Sequence, residues 1–511
     1  MLTKIKTISC FGLNGIDVEV EVNIADKGFP GLAIVGMASR SAEEAKERIK
    51  TAIINSDIEF PMAKITVNLA PADLQKDGSG FDLPIAMGVL ASAGELKMSV
   101  DDSYFFGELS LDGSTRHTKG VFLLAVAAKE NGIKNIFVPR LCANEASAIS
   151  GVTVFPVDSL KSLVMHCRGI KQITPLKSID TDKLMGDVRA EYDFSEIIGQ
   201  ESAKRALEIA AAGGHNVLMI GPPGSGKTML ARATAGIMPN LSEGESLEVT
   251  RIFSVTGNIP AGGSLVRNRQ FRNPHHTTSL VGLIGGGSIP HPGEVSLAHR
   301  GLLFLDEFPE FGRSSLEALR QPMEDGYVNI SRSAGRLTFP AKFMLIAAAN
   351  PCPCGFLGEP KKECKCTVNQ ILNYQKKLSG PIMDRIDIHL NVPAVDINKL
   401  MIGKKVVKAE EPSTSIKDRV KMARTIQQNR YENYVGVYCN ADMKNTHINQ
   451  FALLSPPANL LLKQAVNKFG LSARTYFRLI KVARTIADLA TSIEINEDHV
   501  AEALQYRIRS E

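Results

Sequence analysis

The chain has 511 residues, of which 44% are hydrophobic and 22% charged, and a formal net charge of +5. That length exceeds what one hydrophobic core organises and predicts roughly two to four domains of ordinary globular composition. No apolar run reaches the ~18 residues needed to cross a bilayer, and Met1–Lys6 leads into an alternating segment rather than an apolar signal core, so a cytoplasmic protein with no membrane partner is expected. The mild positive charge neither demands nor excludes a basic surface for nucleic acid.

Residues 1–165 read as an α/β domain. Ile16, Val18, Val20, Val22 and Ile24 alternate with polar residues, the pattern of a strand with one buried face. Ser41 and Glu44 form a capping-box pattern ahead of Ala45, Ile49, Ala52 and Ile53 at helical spacing. Ile65, Val67 and Leu69 alternate again. Two later passages, Lys76-Asp77-Gly78-Ser79-Gly80 and Gly107-Glu108 with Ala127-Ala128, resemble the proteolytic domain of the Lon family. In that register Gly80 stands where the nucleophilic serine would be, and Phe122 where the activating lysine would be. Neither can act as nucleophile or base. Ser79 and Lys119 lie nearby but out of register, and a dyad requires hydrogen-bond geometry. The resemblance implies a Lon-protease-like (S5-type) scaffold, proteolytically inactive and kept for packing or partner binding.

Residues 166–190 are polar, lack a clear period and read as a linker. Asp193–Gln200 then precedes a helix expected over 201–212. The apolar run Asn216–Ile220 enters Gly221-Pro222-Pro223-Gly224-Ser225-Gly226-Lys227-Thr228, and Met229–Ala233 continues as helix. This is the strand, loop and helix order of a phosphate-binding loop. Its glycines let backbone N–H groups converge on phosphate at a helix N-terminus. Lys227 would reach the β- and γ-phosphates of ATP, and the Thr228 hydroxyl would sit on Mg²⁺. A chance Gly-rich turn would not be matched by a second motif. Here Gly301–Leu305 is an apolar strand ending in Asp306 and Glu307, the first suited to the Mg²⁺ shell and the second to the attacking water. Between the motifs, His275 and His276 fall in a Pro/Gly-rich loop. Adjacent histidines are expected to point apart, which disfavours joint metal ligation and leaves contact with DNA or a neighbouring subunit.

Further on, residues 314–325 read as a helix and Tyr327–Phe339 as a β-hairpin with Ser-Ala-Gly at its tip. The strand Phe343–Ala349 ends at Asn350, whose amide could hold the lytic water or the γ-phosphate. Of eight cysteines, Cys10, Cys142, Cys167 and Cys439 are scattered, while Cys352, Cys354, Cys364 and Cys366 form Cys-x-Cys, nine residues, Cys-x-Cys. Four thiolates suit a tetrahedral Zn²⁺. One intervening residue is tighter than the usual two, so free or redox-active thiols stand beside a structural zinc clip. Residues 402–417 read as a mobile linker, and the region beyond as helical.

The passages Phe271–Thr278, Gly285–Gly287 and Pro290–Arg300, taken with the Asp306–Glu307 strand, resemble the magnesium-chelatase-like AAA+ ATPases of the YifB/ComM family over almost the whole chain. That family also joins a Lon-like domain to an AAA+ core. The resemblance implies a P-loop AAA+ α/β core over 191–396, and over 397–511 a linker and C-terminal helical lid. It places Ile197 and Ile198 at the adenine pocket and Asn350 as a sensor. It projects the hairpin into a central pore, making Arg332 and Arg336 phosphate contacts; two solvated arginines are the plain alternative. Arg385 becomes the arginine finger of a homo-hexamer, with a salt bridge to Asp384 or Asp387 as its alternative. Arg474 becomes the second sensor, and Arg478, Lys481 and Arg484 a solvated or DNA-facing side of that helix. The activity implied is ATP-dependent DNA helicase and branch migration on single strands and junctions during natural transformation. Two other classes fit an AAA+ core: a chelatase-type motor acting on a partner, and an ATP-dependent protease or unfoldase.

Overall fold

A computed structural model describes residues 2–507 apart from 26, 38, 73–75, 77, 97–101, 177–190, 260–262, 288–289, 333–334, 361, 379 and 395–409. The alternating segments of the first domain pair into a seven-stranded mixed sheet. Its order is Gly31–Val35, Lys64–Ala70, Asn14–Ala25, Leu2–Phe11, Ser103–Phe105, Asn135–Pro139 and Thr153–Val157. Val18, Val20 and Val22 share a buried face with Ile65, Val67 and Leu69, under the helices Ser39–Asn55, Asp82–Ser92 and Leu160–Cys167. Ile8 and Tyr104 lie in a second core with the helix Val121–Glu130. Leu247 and Val255, from the helix Glu243–Thr256 of the next domain, pack against this second core. Covered on both sides, Val121–Glu130 is apolar nearly all round. Ser41 is not a cap, because the helix already starts at Ser39.

The second sheet is five-stranded and parallel, in the order Phe271–Arg272, Leu302–Leu305, Met344–Ala349, Val217–Ile220 and Ile388–Asn391. Burial on both faces explains the continuous apolar runs. Val217 is in register with both Ile346 and Ile388. The Gly221 N–H donates to the Ala349 carbonyl at 3.2 Å, so the P-loop begins beside Asn350, and Asp306 follows the strand on the other side of Met344–Ala349. The carboxyl edge of such a sheet is where ligands bind.

The helix expected over 314–325 is split into Arg313–Ala318 and Arg320–Asp325. Pro322 lacks an N–H, and its ring conflicts with the carbonyl four residues back, at Ala318. The hairpin pairs Tyr327–Arg332 with Gly335–Pro340 from Tyr327↔Pro340 to Arg332↔Gly335; Ser333 and Ala334 of its tip lie outside the described residues. At its side, a Cβ on Gly12, in the turn between the first two strands of the amino-terminal sheet, would sit 2.9 Å from the Leu337 side chain. Leu13 in the same turn packs against the second domain's cores.

Ser413–Tyr431 is a helix, so residues 413–417 of the stretch read as linker are its first turn. Ile416, Val420, Ala423, Gln427 and Tyr431 recur every three or four residues on its buried face, a period that the polar start Ser413-Thr414-Ser415 hides. The helices Asn445–Phe451, Pro456–Phe469, Ala473–Leu489 and Glu497–Gln505 follow. They share one hydrophobic core with Glu201–Gly213 and with Lys227–Ile237 behind the P-loop. Among the described residues no helix is long and apolar enough to cross a membrane.

Candidate active site

The P-loop turns through Gly224 and Gly226, at φ +76° and +88°, conformations that side chains resist. Gly221 is required for a different reason. A Cβ there would lie 2.1 Å from the Val392 carbonyl oxygen. Lys227 opens the helix Lys227–Ile237 and is buried. Its ammonium donates to the carbonyls of Gly221 (2.8 Å) and Pro222 (2.9 Å) and stands 3.4 Å from Asn350 Oδ1. Burial lowers its pKa, and the Asp306 carboxylate opposes the shift. Phosphate oxygens offered to this ammonium would pair it with an anion, where the Gly221 and Pro222 carbonyls are neutral acceptors.

The Thr228 hydroxyl donates to Asp306 Oδ2 at 2.9 Å, and the Glu307 N–H donates to Asp306 Oδ1 at 2.9 Å. A hydroxyl and a carboxylate held side by side are hard oxygen donors, and Mg²⁺ commonly takes one or two protein ligands, its remaining positions going to water and phosphate. These residues fit that ion. Glu307 sits at φ +51°, unusual for a non-glycine residue, and its side chain is half exposed. Its Oε2 lies 3.1 Å from His276 Nδ1. The two histidines do not point apart. Their rings lie together, with centroids 4.1 Å apart, and His275 Nδ1 meets the Thr277 hydroxyl at 2.8 Å.

Ile197 is buried in the core and Ile198 is half-buried. Gln200 links this segment to the P-loop: its side-chain N–H₂ donates to the carbonyls of Pro393 (2.8 Å) and Ser225 (3.4 Å). Sequence reasoning missed Gln200, and only its place just before the helix hinted at it.

Arg385 and Arg474 come together on a different group. Arg385 Nη2 lies 2.7 Å and Arg474 Nη2 3.3 Å from the same oxygen of Glu324. The partner of Arg385 is therefore neither Asp384 nor Asp387. Asp387 instead accepts from Arg478 and faces His215 at 3.6 Å; burial would raise its pKa, but the Arg478 charge and the hydrogen bonding around it hold the carboxyl far below the usual range. Arg478, Lys481 and Arg484 do not form a solvated side. Lys481 donates to the Ala441 carbonyl at 2.9 Å. Arg484 is 1% exposed and donates to Asp488 (3.1 Å) and the Ile493 carbonyl (2.6 Å). Ala473–Leu489 packs against Glu201–Gly213 and Ser413–Tyr431, which turns these cations inward.

The four clustered cysteines converge. Sγ–Sγ separations are 3.4 Å for Cys352–Cys354 and 3.6 Å for both Cys352–Cys364 and Cys354–Cys364, and the four sulfurs lie within 4.8 Å of one another. A disulfide requires ~2.05 Å. Metal–sulfur bonds of ~2.3 Å in a tetrahedron place sulfurs about 3.8 Å apart, so the set fits a tetrathiolate zinc site. The Cys354 N–H donates to Cys366 Sγ at 3.4 Å, the outer-shell support such ligands use.

Family models match consecutive parts of the chain. One described as magnesium chelatase, subunit ChlI, covers residues 193–400; subunit ChlI of Mg-chelatase covers 20–141; the ChlI C-terminal model covers 410–507. The chain is 42% identical to YifB of Escherichia coli K12, over 99% of this chain and 97% of that protein. It is 39% identical to competence protein ComM of Haemophilus influenzae, over 96% and 94% respectively. The chain belongs to the magnesium-chelatase-like YifB/ComM family. It is also 28% identical to the magnesium-chelatase 38 kDa subunit of Rhodobacter capsulatus, but over only 32% of the chain. A magnesium-chelatase-like AAA+ fold around a parallel sheet follows from this membership, with ATP and Mg²⁺ as the implied ligands.

Away from the nucleotide motifs, a cavity of about 380 Å³ lies where the amino-terminal sheet meets the hairpin, lined by Ser79, Glu108, His117, Lys119, His291 and Leu337. The Ser79 hydroxyl donates to Glu108 rather than to Lys119. Gly80 is pressed on by Phe106, which a Cβ would meet at 2.6 Å, and Phe122 is fully buried. Arg336 is exposed on the hairpin; Arg332 is in its strand, and its side chain lies outside the described residues.

Proposed function

We propose that this chain is a cytoplasmic ATP-dependent DNA translocase that works as a hexamer and drives branch migration of recombination intermediates, in natural transformation. The observation that carries the reading is the joined set Lys227, Thr228, Asp306, Glu307 and Asn350 at one sheet edge, with Thr228 and Asp306 2.9 Å apart. The 39% identity to a protein named for competence supports the cellular role. Lys227 and the P-loop N–H groups hold the phosphates, and Thr228 and Asp306 hold Mg²⁺, which neutralises charge developing on the phosphoryl oxygens. Glu307 takes the proton of the attacking water, and Asn350 orients it. Arg385 and Arg474 serve a neighbour's nucleotide and the protomer's own, respectively. Arg332 and Arg336 meet DNA phosphates, so movement is sequence-independent and salt-sensitive.

In the same reading residues 1–165 are an inactive Lon-like domain, 166–190 a linker, 191–396 the ATPase core and 397–511 a linker and lid. Cys352, Cys354, Cys364 and Cys366 hold a structural zinc. The test is ATP-dependent branch migration of a labelled three- or four-strand junction, with Lys227→Ala as control. Product that requires ATP and vanishes in the variant is expected. ATP hydrolysis indifferent to DNA would sink the DNA reading. It would favour a chelatase-type motor acting on a protein partner, the reading that the three magnesium-chelatase matches support.

A further inference from the structure

The cysteine cluster touches the nucleotide machinery. Asn350 follows directly on the strand Met344–Ala349, and Cys352, two residues later, is fully buried. The Gly355 N–H donates to the Cys352 carbonyl at 2.9 Å, closing a tight turn at φ +84°. A Cβ on Gly355 would lie 2.6 Å from Cδ of Pro223 in the P-loop and 3.8 Å from Cγ of Asn350. The turn bearing the first two thiols is thus packed, backbone first, against both the phosphate loop and the polar residue facing it.

Little else holds that turn. Among the described residues of 351–367, only Cys352 and Gly355 are buried, and no helix or strand begins until Val368. A loop with so small an apolar core cannot offset the entropy of ordering it; a four-ligand metal can. Tyr374, on the helix Val368–Lys377, is buried, and the nearby Asn350 backbone amide opposes the upward pKa shift that burial imposes on its hydroxyl. Asn350 therefore neighbours both the helix Val368–Lys377 and the cysteine turn.

We infer that zinc bound by Cys352, Cys354, Cys364 and Cys366 is the buttress of the ATP site. Through Gly355 it fixes Pro223 and Asn350 in their working positions, so hydrolysis depends on a metal that never touches the nucleotide. The inference rests on the zinc reading proposed above, and its failure can be told from the failure of that reading.

The experiment uses full-length protein and three readouts: zinc per chain by elemental analysis, affinity for a fluorescent ATP analogue, and steady-state ATP turnover. Wild type is expected to carry one zinc per chain; none would overturn both the zinc reading and the buttress. Gly355→Ala keeps all four thiols. It should retain its zinc yet bind the analogue more weakly and turn over about tenfold or more slowly, the usual scale for lost outer-shell support. Zinc retained with unchanged affinity and turnover would overturn the buttress and leave the zinc reading standing. Zinc stripped by a chelator should cause the same loss, and re-addition of Zn²⁺ should restore both readouts. Unchanged turnover in stripped protein that is still folded by circular dichroism would also overturn the buttress. If stripping unfolds the chain, Gly355→Ala decides.

Discussion

In the function proposed above Glu307 is the base for the attacking water, and an imidazole stands 3.1 Å from one of its oxygens. An imidazole this close limits how the carboxylate can turn towards a water, so in that reading His276 restrains the base. His276→Ala should raise kcat roughly three- to tenfold, a fraction of the ~10²–10⁴ that general base catalysis supplies, and leave KM for ATP unchanged. Steady-state kinetics checks this, and a fall in kcat would show that His276 positions the base instead. This contact was not legible. The sequence places His276 in a loop, and only tertiary structure brings that loop over the end of the strand Leu302–Leu305.

Among the elements, the helices Val121–Glu130 and Glu243–Thr256 meet at one buried carboxyl. Glu145 Oε1 accepts the Phe122 N–H at 3.0 Å and the Ser254 hydroxyl at 3.3 Å. Burial nonetheless raises its pKa to about 7. The native state then holds this proton more tightly than the unfolded chain does. Stability is therefore full below the ordinary carboxylate range and falls as pH rises towards 7. Glu145→Gln should be more stable than wild type at pH 8, by on the order of 1–3 kcal/mol, with the gap closing near pH 4; thermal melting at the two pH values measures it. The elements themselves were largely readable. Local alternation marked the strands Asn14–Ala25 and Lys64–Ala70, and the two nucleotide motifs lay in uninterrupted runs. What escaped depends on distant partners: Arg484 reads as a surface residue until Asp488, Ser492 and Ile493 close around it, and the helix at Ser413 hides behind a polar first turn.

For the whole molecule, the shared grip of Glu324 on Arg385 and Arg474 groups two cations apart from the contacts that hold Lys227. If Arg385 completes a neighbour's site, Arg385→Ala should lose about 10³-fold or more in turnover while still binding ATP. Mixing it with Lys227→Ala subunits should then restore part of the activity, because each variant supplies what the other lacks. No recovery in a mixed-subunit ATPase assay would confine Arg385 to its own chain. The hairpin has a mechanical consequence of its own. Leu337 bears on Gly12, and Leu13 is wedged into the second domain's cores, so the hairpin is not a free finger. Any stroke it makes loads the seven-stranded sheet through the turn at Gly12 and Leu13, which makes the amino-terminal domain part of the lever's stiffness rather than a passenger.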